Sequence, residues 1–197
     1  NVLHAGKIGQ DGNFLLQALC EAGVDTSSVV VSDVPSGHAI IQVDQSGQNS
    51  IIIYAGANGC ITEDEVDLAL NRLVPGDWIL LQNEINQISS IIHKAHTRGI
   101  KIAFNPAPMN ELVKTYPLNL VDLFVVNETE ATALTGFTAG KDVLASLEQT
   151  YPNAIHLITL GAQGSICSQH GHRYQTAAKR VPVVDTTAAG DTYIGFF

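Results

Sequence analysis

The chain reads as an α/β protein built on a mostly parallel sheet sandwiched between helices, with a small β hairpin added to it. Three observations predict this. Short apolar runs rich in Val, Ile, Leu and Phe alternate with amphipathic stretches long enough to be crossover helices, from Trp78 onward. Polar residues or glycines follow each run, as expected where ligands bind beyond the carboxyl ends of parallel strands. Near the end, Val183-Val184-Asp185-Thr186-Thr187-Ala188-Ala189-Gly190-Asp191-Thr192 reads as a strand, a turn of small residues and the first turn of a helix.

In chain order, Val2 to Ala5 is expected to form a strand. Gly6 to Gly12 is expected to be a structural turn, followed by a helix from Phe14 to about Gly23. Neither Gly-x-x-x-x-Gly-Lys-Ser/Thr nor Gly-x-Gly-x-x-Gly fits the spacing of Gly6, Lys7, Gly9 and Gly12, so this turn is not a phosphate loop of either kind. From Ser28 to Tyr54 the texture is β. His38–Asp44 and Ile51–Tyr54 form a hairpin around a turn at residues 45–49. Thr62-Glu63-Asp64-Glu65 is a capping box that starts a helix to about Leu73. Strands are then expected at 78–82, 100–104, 123–126, 154–160 and 181–184, and a hairpin at 166–168 and 173–175. Helices are expected at 85–98 and 143–149, with a loop at residues 138–142 before the second.

The composition narrows the function. A net charge of −9, from 10 basic against 19 acidic side chains with no basic cluster, argues against nucleic acid or an anionic membrane as partner. No apolar run is long enough to span a bilayer and no basic-then-apolar leader opens the chain, so the sequence reads as cytoplasmic. Cys20, Cys60 and Cys167 are widely spaced and read as reduced thiols. The pairs His93/His96 and His170/His172 have no third ligand nearby and do not read as metal sites.

The chemistry is expected at the last strand–helix junction. No bulky side chain precedes Asp191, so the backbone N–H groups of Ala188, Ala189 and Gly190 can approach an anion at the positive end of the helix dipole. A carboxylate belongs at such a place as the acceptor of a proton from the group that attacks the anion, although a plain helix-start residue has the same local sequence. Asn127-Glu128-Thr129-Glu130 likewise carries two readings that can both hold: a capping box, and a pair that orders the waters of a Mg²⁺ ion.

Asp185 to Thr192 resembles the catalytic signature of the ribokinase family of small-molecule kinases, the PfkB superfamily. Gly56-Ala57-Asn58, Asn105-Pro106-Ala107-Pro108, Asn127-x-x-Glu130 and Leu157–Ser165 are similar to further segments of that family. The resemblance covers essentially the whole chain and implies ATP-dependent phosphorylation of a sugar hydroxyl, foremost D-ribose to ribose 5-phosphate. It makes Asp191 the base and also a substrate-binding residue, the Ala188–Gly190 backbone the anion hole, and Glu84 a sugar contact. Asn127, Thr159, Gly161 and Gly164 would line the ATP site. Asn127 and Glu130 would hold Mg²⁺ through water, and Asp185 with Thr187 an activating monovalent cation, K⁺.

The resemblance also implies that residues 36–54 belong to a β lid over the sugar and that the protein is a homodimer through that lid. The family's early sugar-binding segment and its adenine-framing end have no counterpart here. The sequence is therefore expected to be an incomplete ribokinase-like domain over 1–197, truncated at both ends and inactive in isolation. Two other readings stay open: a kinase of the same fold acting on a nucleoside, fructose or another small alcohol, and a non-catalytic sugar-binding module.

Overall fold

The structure, a computed structural model, describes residues 2–43, 49–136, 142–182 and 188–197. Residues 45–48 of the turn expected at 45–49 and residues 138–141 of the loop expected at 138–142 lie outside them, and Asn49 is the first residue of a strand. The described residues group into two compact units, residues 1–74 with 84–94 and residues 75–83 with 95–197.

In the first unit β1 (Leu3–Gly9) runs parallel to β2 (Asp25–Ser32), joined through α1 (Asn13–Glu21). The turn expected from Gly6 begins later. Gly6, Lys7 and Ile8 pair with Val29, Val30 and Val31 as strand residues. The Lys7 side chain leaves the strand to reach Glu65 Oε1 at 2.8 Å and the Cys60 carbonyl at 3.0 Å. Gly9 is a point of close approach: a Cβ there would lie 2.5 Å from the Val34 carbonyl oxygen. In the turn that follows, Asp11 Oδ1 accepts from the Ser36 amide at 2.9 Å and its hydroxyl at 3.0 Å, which holds the Asp11 carboxyl below its ordinary range.

β3 (His38–Val43) and β4 (Asn49–Tyr54) form the expected hairpin, a two-stranded sheet of their own among the described residues, in the register His38↔Tyr54. Ile40, Ile41, Ile52 and Ile53 are all exposed, so the hairpin presents apolar side chains on both faces. α2 (Glu63–Leu70) starts on the expected capping box, with the Glu65 amide donating to Thr62 Oγ1 and the Thr62 amide to Glu65 Oε2.

The second unit carries a sheet of six described strands. β5 (Trp78–Gln82), β6 (Lys101–Asn105), β7 (Leu123–Asn127) and β8 (Ile155–Thr159) are parallel neighbours. β9 (Ser165–Gln169) and β10 (His172–Thr176) continue it antiparallel, in the order β10-β9-β8-β7-β6-β5. α4 (Glu128–Thr135) and α5 (Val143–Thr150) lie between β7 and β8 in sequence and α6 (Ala189–Phe196) follows the sheet, while α3 (Ile88–Thr97), between β5 and β6 in sequence, falls mostly in the first unit. α3 starts three residues later than expected because Asn86 is held in a turn, its side chain bonding both the amide and the carbonyl of Ile61.

β6 and β7 are buried apart from their first and last residues respectively, with Phe104 and Phe124 fully enclosed, which explains their nearly continuous apolar sequence. On one face Ala103, Leu123, Val125 and Leu157 form a core cluster against which Tyr193 and Ile194 of α6 pack. Of the strand expected at 181–184, Val181 and Pro182 are irregular and Val183 and Val184 lie outside the described residues.

The β9–β10 turn has His170 at φ 50° and Gly171 at φ 78°, the two positive values a tight two-residue hairpin needs. Arg173 beyond it donates to Asp142 Oδ2 at 2.7 Å and Glu148 Oε2 at 2.6 Å, and Ser168 also donates to Glu148. The guanidinium holds both carboxyls below their ordinary range. Folding therefore weakens their proton affinity, so the stabilisation is present above the unfolded carboxylate range and disappears as pH falls through the lower folded values. Arg173→Met is expected to lower the melting temperature at pH 7 and to lose that effect near pH 3. Thermal unfolding at low salt, where partly exposed pairs are least screened, checks this.

Candidate active site

Four parallel strands end in polar residues: Gln82, Asn105, Asn127 and Thr159. Gln82 is level with Asn105 and Asn127 with Thr159, so these side chains follow one another along the carboxyl edge of the sheet. α6 begins at this edge. Its first intrahelical bond runs from the Thr192 amide to the Ala188 carbonyl at 2.9 Å, so the amides of Ala188, Ala189, Gly190 and Asp191 have no partner within the helix. Ala188 takes the left-handed conformation, φ 56° and ψ 16°, at a cost of roughly 1–2 kcal/mol for a residue with a Cβ.

A cleft of about 180 Å³ lies here, lined by Asn105, Asn127, Glu130, Thr159 and the run Ala188 to Asp191. Thr159, Ala189 and Gly190 also line a second cavity of about 480 Å³, with Gly161, Gly164, Ser165, Lys179 and Tyr193. The start of α6, which holds the expected anion-hole residues, thus borders both the cleft with Asn127 and the cavity with Gly161 and Gly164, and Thr159 lines both. Asp191 is exposed rather than turned into the interior, and its Oδ1 accepts from Gln82 Nε2 at 2.9 Å. The same Nε2 donates to Asn105 Oδ1 at 3.1 Å, and Asn105 Nδ2 donates to the Val125 carbonyl at 2.8 Å.

Asn127 and Glu130 form the capping box of α4: the Glu130 amide donates to Asn127 Oδ1 at 2.8 Å and the Asn127 amide to Glu130 Oε2 at 3.0 Å. Burial pushes the Glu130 carboxyl up, and the Asn127 amide partly offsets this. Glu84 is exposed on the turn after β5, in the other compact unit. Asp185 and Thr187 lie outside the described residues. Sequence reading gave no role to Tyr193, whose hydroxyl donates to Ser165 Oγ at 2.7 Å and ties α6 to β9, nor to Lys179. A 28-residue separation between Tyr193 and Ser165 leaves no local signal.

The whole chain, residues 1–197, matches the pfkB family carbohydrate kinases. The chain belongs to this family. It is 36% identical to the ribokinase of Staphylococcus aureus over 97% of this chain and 66% of that one. With the deoxyribokinase of Salmonella typhi it shares 34% identity over 100% of this chain and 67% of the relative. The structure of Arabidopsis thaliana ribokinase complexed with ribose and ATP superposes with a TM-score of 0.77 at 28% identity, covering 98% of this chain and 66% of that one. This pfkB chain therefore spans roughly two thirds of the length of these relatives. Among the described residues no helix is long and apolar enough to cross a membrane.

Proposed function

We propose that the protein to which this chain belongs transfers the γ-phosphoryl group of ATP to a hydroxyl of ribose, giving ribose 5-phosphate. The observation that carries the reading is the position of Asp191, solvent-facing in the first turn of α6, on a cleft that also collects Asn127, Glu130 and Thr159. Likeness to ribokinases over nearly the whole chain supports ribose as the sugar. The Salmonella deoxyribokinase supports 2-deoxyribose as a second reading.

In this reading Asp191 takes the proton of the attacking sugar hydroxyl as the oxygen–phosphorus bond forms. The amides of Ala188, Ala189 and Gly190 hold the equatorial oxygens of the phosphoryl group in transit, each contributing on the order of 2.7–4 kcal/mol by analogy with other oxyanion sites. Asp191 also helps hold the sugar, with Glu84 as a further contact, and Thr159, Gly161 and Gly164 flank the phosphates of ATP. Asn127 and Glu130 suit a hydrated Mg²⁺: a half-buried carboxylate on the cleft wall is enough for an ion that keeps most of its water. Bound there, Mg²⁺ would neutralise charge on the phosphate oxygens. Asp185 and Thr187 are proposed to hold K⁺. The exposed apolar hairpin β3–β4 is proposed as the lid and dimer contact of a cytoplasmic enzyme.

An ADP-release assay on the full-length protein, with ribose, 2-deoxyribose, fructose and nucleosides, tests the reading. Turnover with ribose is expected to exceed the others, and no turnover with any of them would defeat it. Asn127→Ser separates the two jobs of that residue. Serine keeps the cap, so stability should change by only a few tenths of a kcal/mol. The Mg²⁺ concentration for half-maximal rate should rise about tenfold or more, the scale on which partners of a metal site act. An unchanged Mg²⁺ requirement would leave Asn127 as a cap alone.

A further inference from the structure

We propose that Gln82 is a positioning residue that orients the Asp191 carboxylate and presents it as a proton acceptor, through a hydrogen-bond chain anchored on the Val125 carbonyl. The proposal rests on the reading of Asp191 as the base.

The direction of each bond in the chain follows from its fixed end. The Val125 main-chain oxygen only accepts, so the part of the Asn105 amide that faces it at 2.8 Å must be the NH₂ group. Asn105 is 7% exposed, on a strand paired on both sides, which keeps its side chain from turning away into solvent. Its oxygen then faces Gln82, and Gln82 must in turn offer its own NH₂ at 3.1 Å. The second hydrogen of the same nitrogen goes to Asp191 Oδ1 at 2.9 Å. With the Gln82 amide reversed, its oxygen would face two acceptors and neither bond would form.

The carboxylate is thus held by a group whose orientation is set by two neighbouring strands, and the bond to Oδ1 leaves Oδ2 to receive the sugar proton. Support of this kind comes from the ends of β5, β6 and β7, rigid elements rather than a loop.

Gln82→Met in the full-length protein keeps the length of the side chain and removes both donors. Expected are a fall in kcat on the order of 10–100-fold and KM values for ribose and ATP within about twofold. Unchanged kcat would overturn the proposal. So would a fall in kcat matched by a rise in both KM values, which is what loss of a tether between α6 and the sheet would produce.

A measurement on the unaltered side chain covers the case in which this variant does not fold. By NMR the Gln82 side-chain amide protons should carry a hydrogen-bonded shift that is lost in Asp191→Ala; equal shifts in the two proteins would overturn the proposal. Near-parental turnover in Asp191→Asn would instead defeat the base reading itself, which separates the two failures.

Discussion

Asp191→Asn is expected to lower kcat with ribose by about 10²–10⁴, the usual scale for a general base, and to leave the KM for ribose within a few-fold. Asparagine has the shape of aspartate, and the exposed position asks nothing of the core, so the fold should persist. Gln82 Nε2 can still donate to the amide oxygen, which keeps the side chain in place while removing its ability to take a proton. Loss of a negative charge from the first turn of α6 costs about 0.3–1 kcal/mol against the helix dipole, too little to unfold the protein. Coupled ADP release and thermal unfolding on the same samples check both parts. Near-normal turnover would remove Asp191 from the base role.

Gly164→Ala is expected to be the most damaging small substitution near the second cavity. The residue sits at φ 100°, and a Cβ there would lie 1.9 Å from the Thr176 carbonyl oxygen and 2.7 Å from the Ala178 amide nitrogen. Both are backbone atoms that cannot rotate aside. Backbone strain of about 1–3 kcal/mol and a comparable overpacking cost of about 1–3 kcal/mol add to roughly 2–6 kcal/mol, a large part of an ordinary domain's stability. Gly161→Ala is the control. It also has a positive φ, 54°, but nothing lies within 4 Å of its Cβ, so only about 1–2 kcal/mol is expected. Denaturant unfolding of both variants compares a crowded position with an open one, and equal losses would contradict the account of Gly164.

What could be read from the sequence was what local chemistry decides. Asn127 with Glu130, and Thr62 with Glu65, sit three residues apart because a helix start needs that spacing, and both boxes form. The hairpin at His170–Gly171 follows from two residues that tolerate positive φ. The row of polar strand ends follows from the rule that parallel strands point their carboxyl ends at the ligand. Other features depend on pairing across long separations. Gln82 and Asp191 are 109 positions apart, and nothing near either residue announces the bond between them. Gly6 looks like a turn residue by composition, yet its pairing with Val29 draws it into β1. Gly9 is a glycine because Val34 passes close by, a fact about a neighbour in space.

The central claim is that the start of α6 delivers a proton acceptor and amides without a partner in the helix to the same phosphoryl group. A crystal structure of the full-length protein with ribose and a non-hydrolysable ATP analogue tests it most directly. The predicted result is the acceptor hydroxyl of ribose within about 2.6–3.2 Å of the Asp191 carboxylate, with γ-phosphate oxygens on the amides of Ala188 to Gly190. Ribose bound with that hydroxyl facing some other group, or the γ-phosphate seated away from this helix, would contradict it.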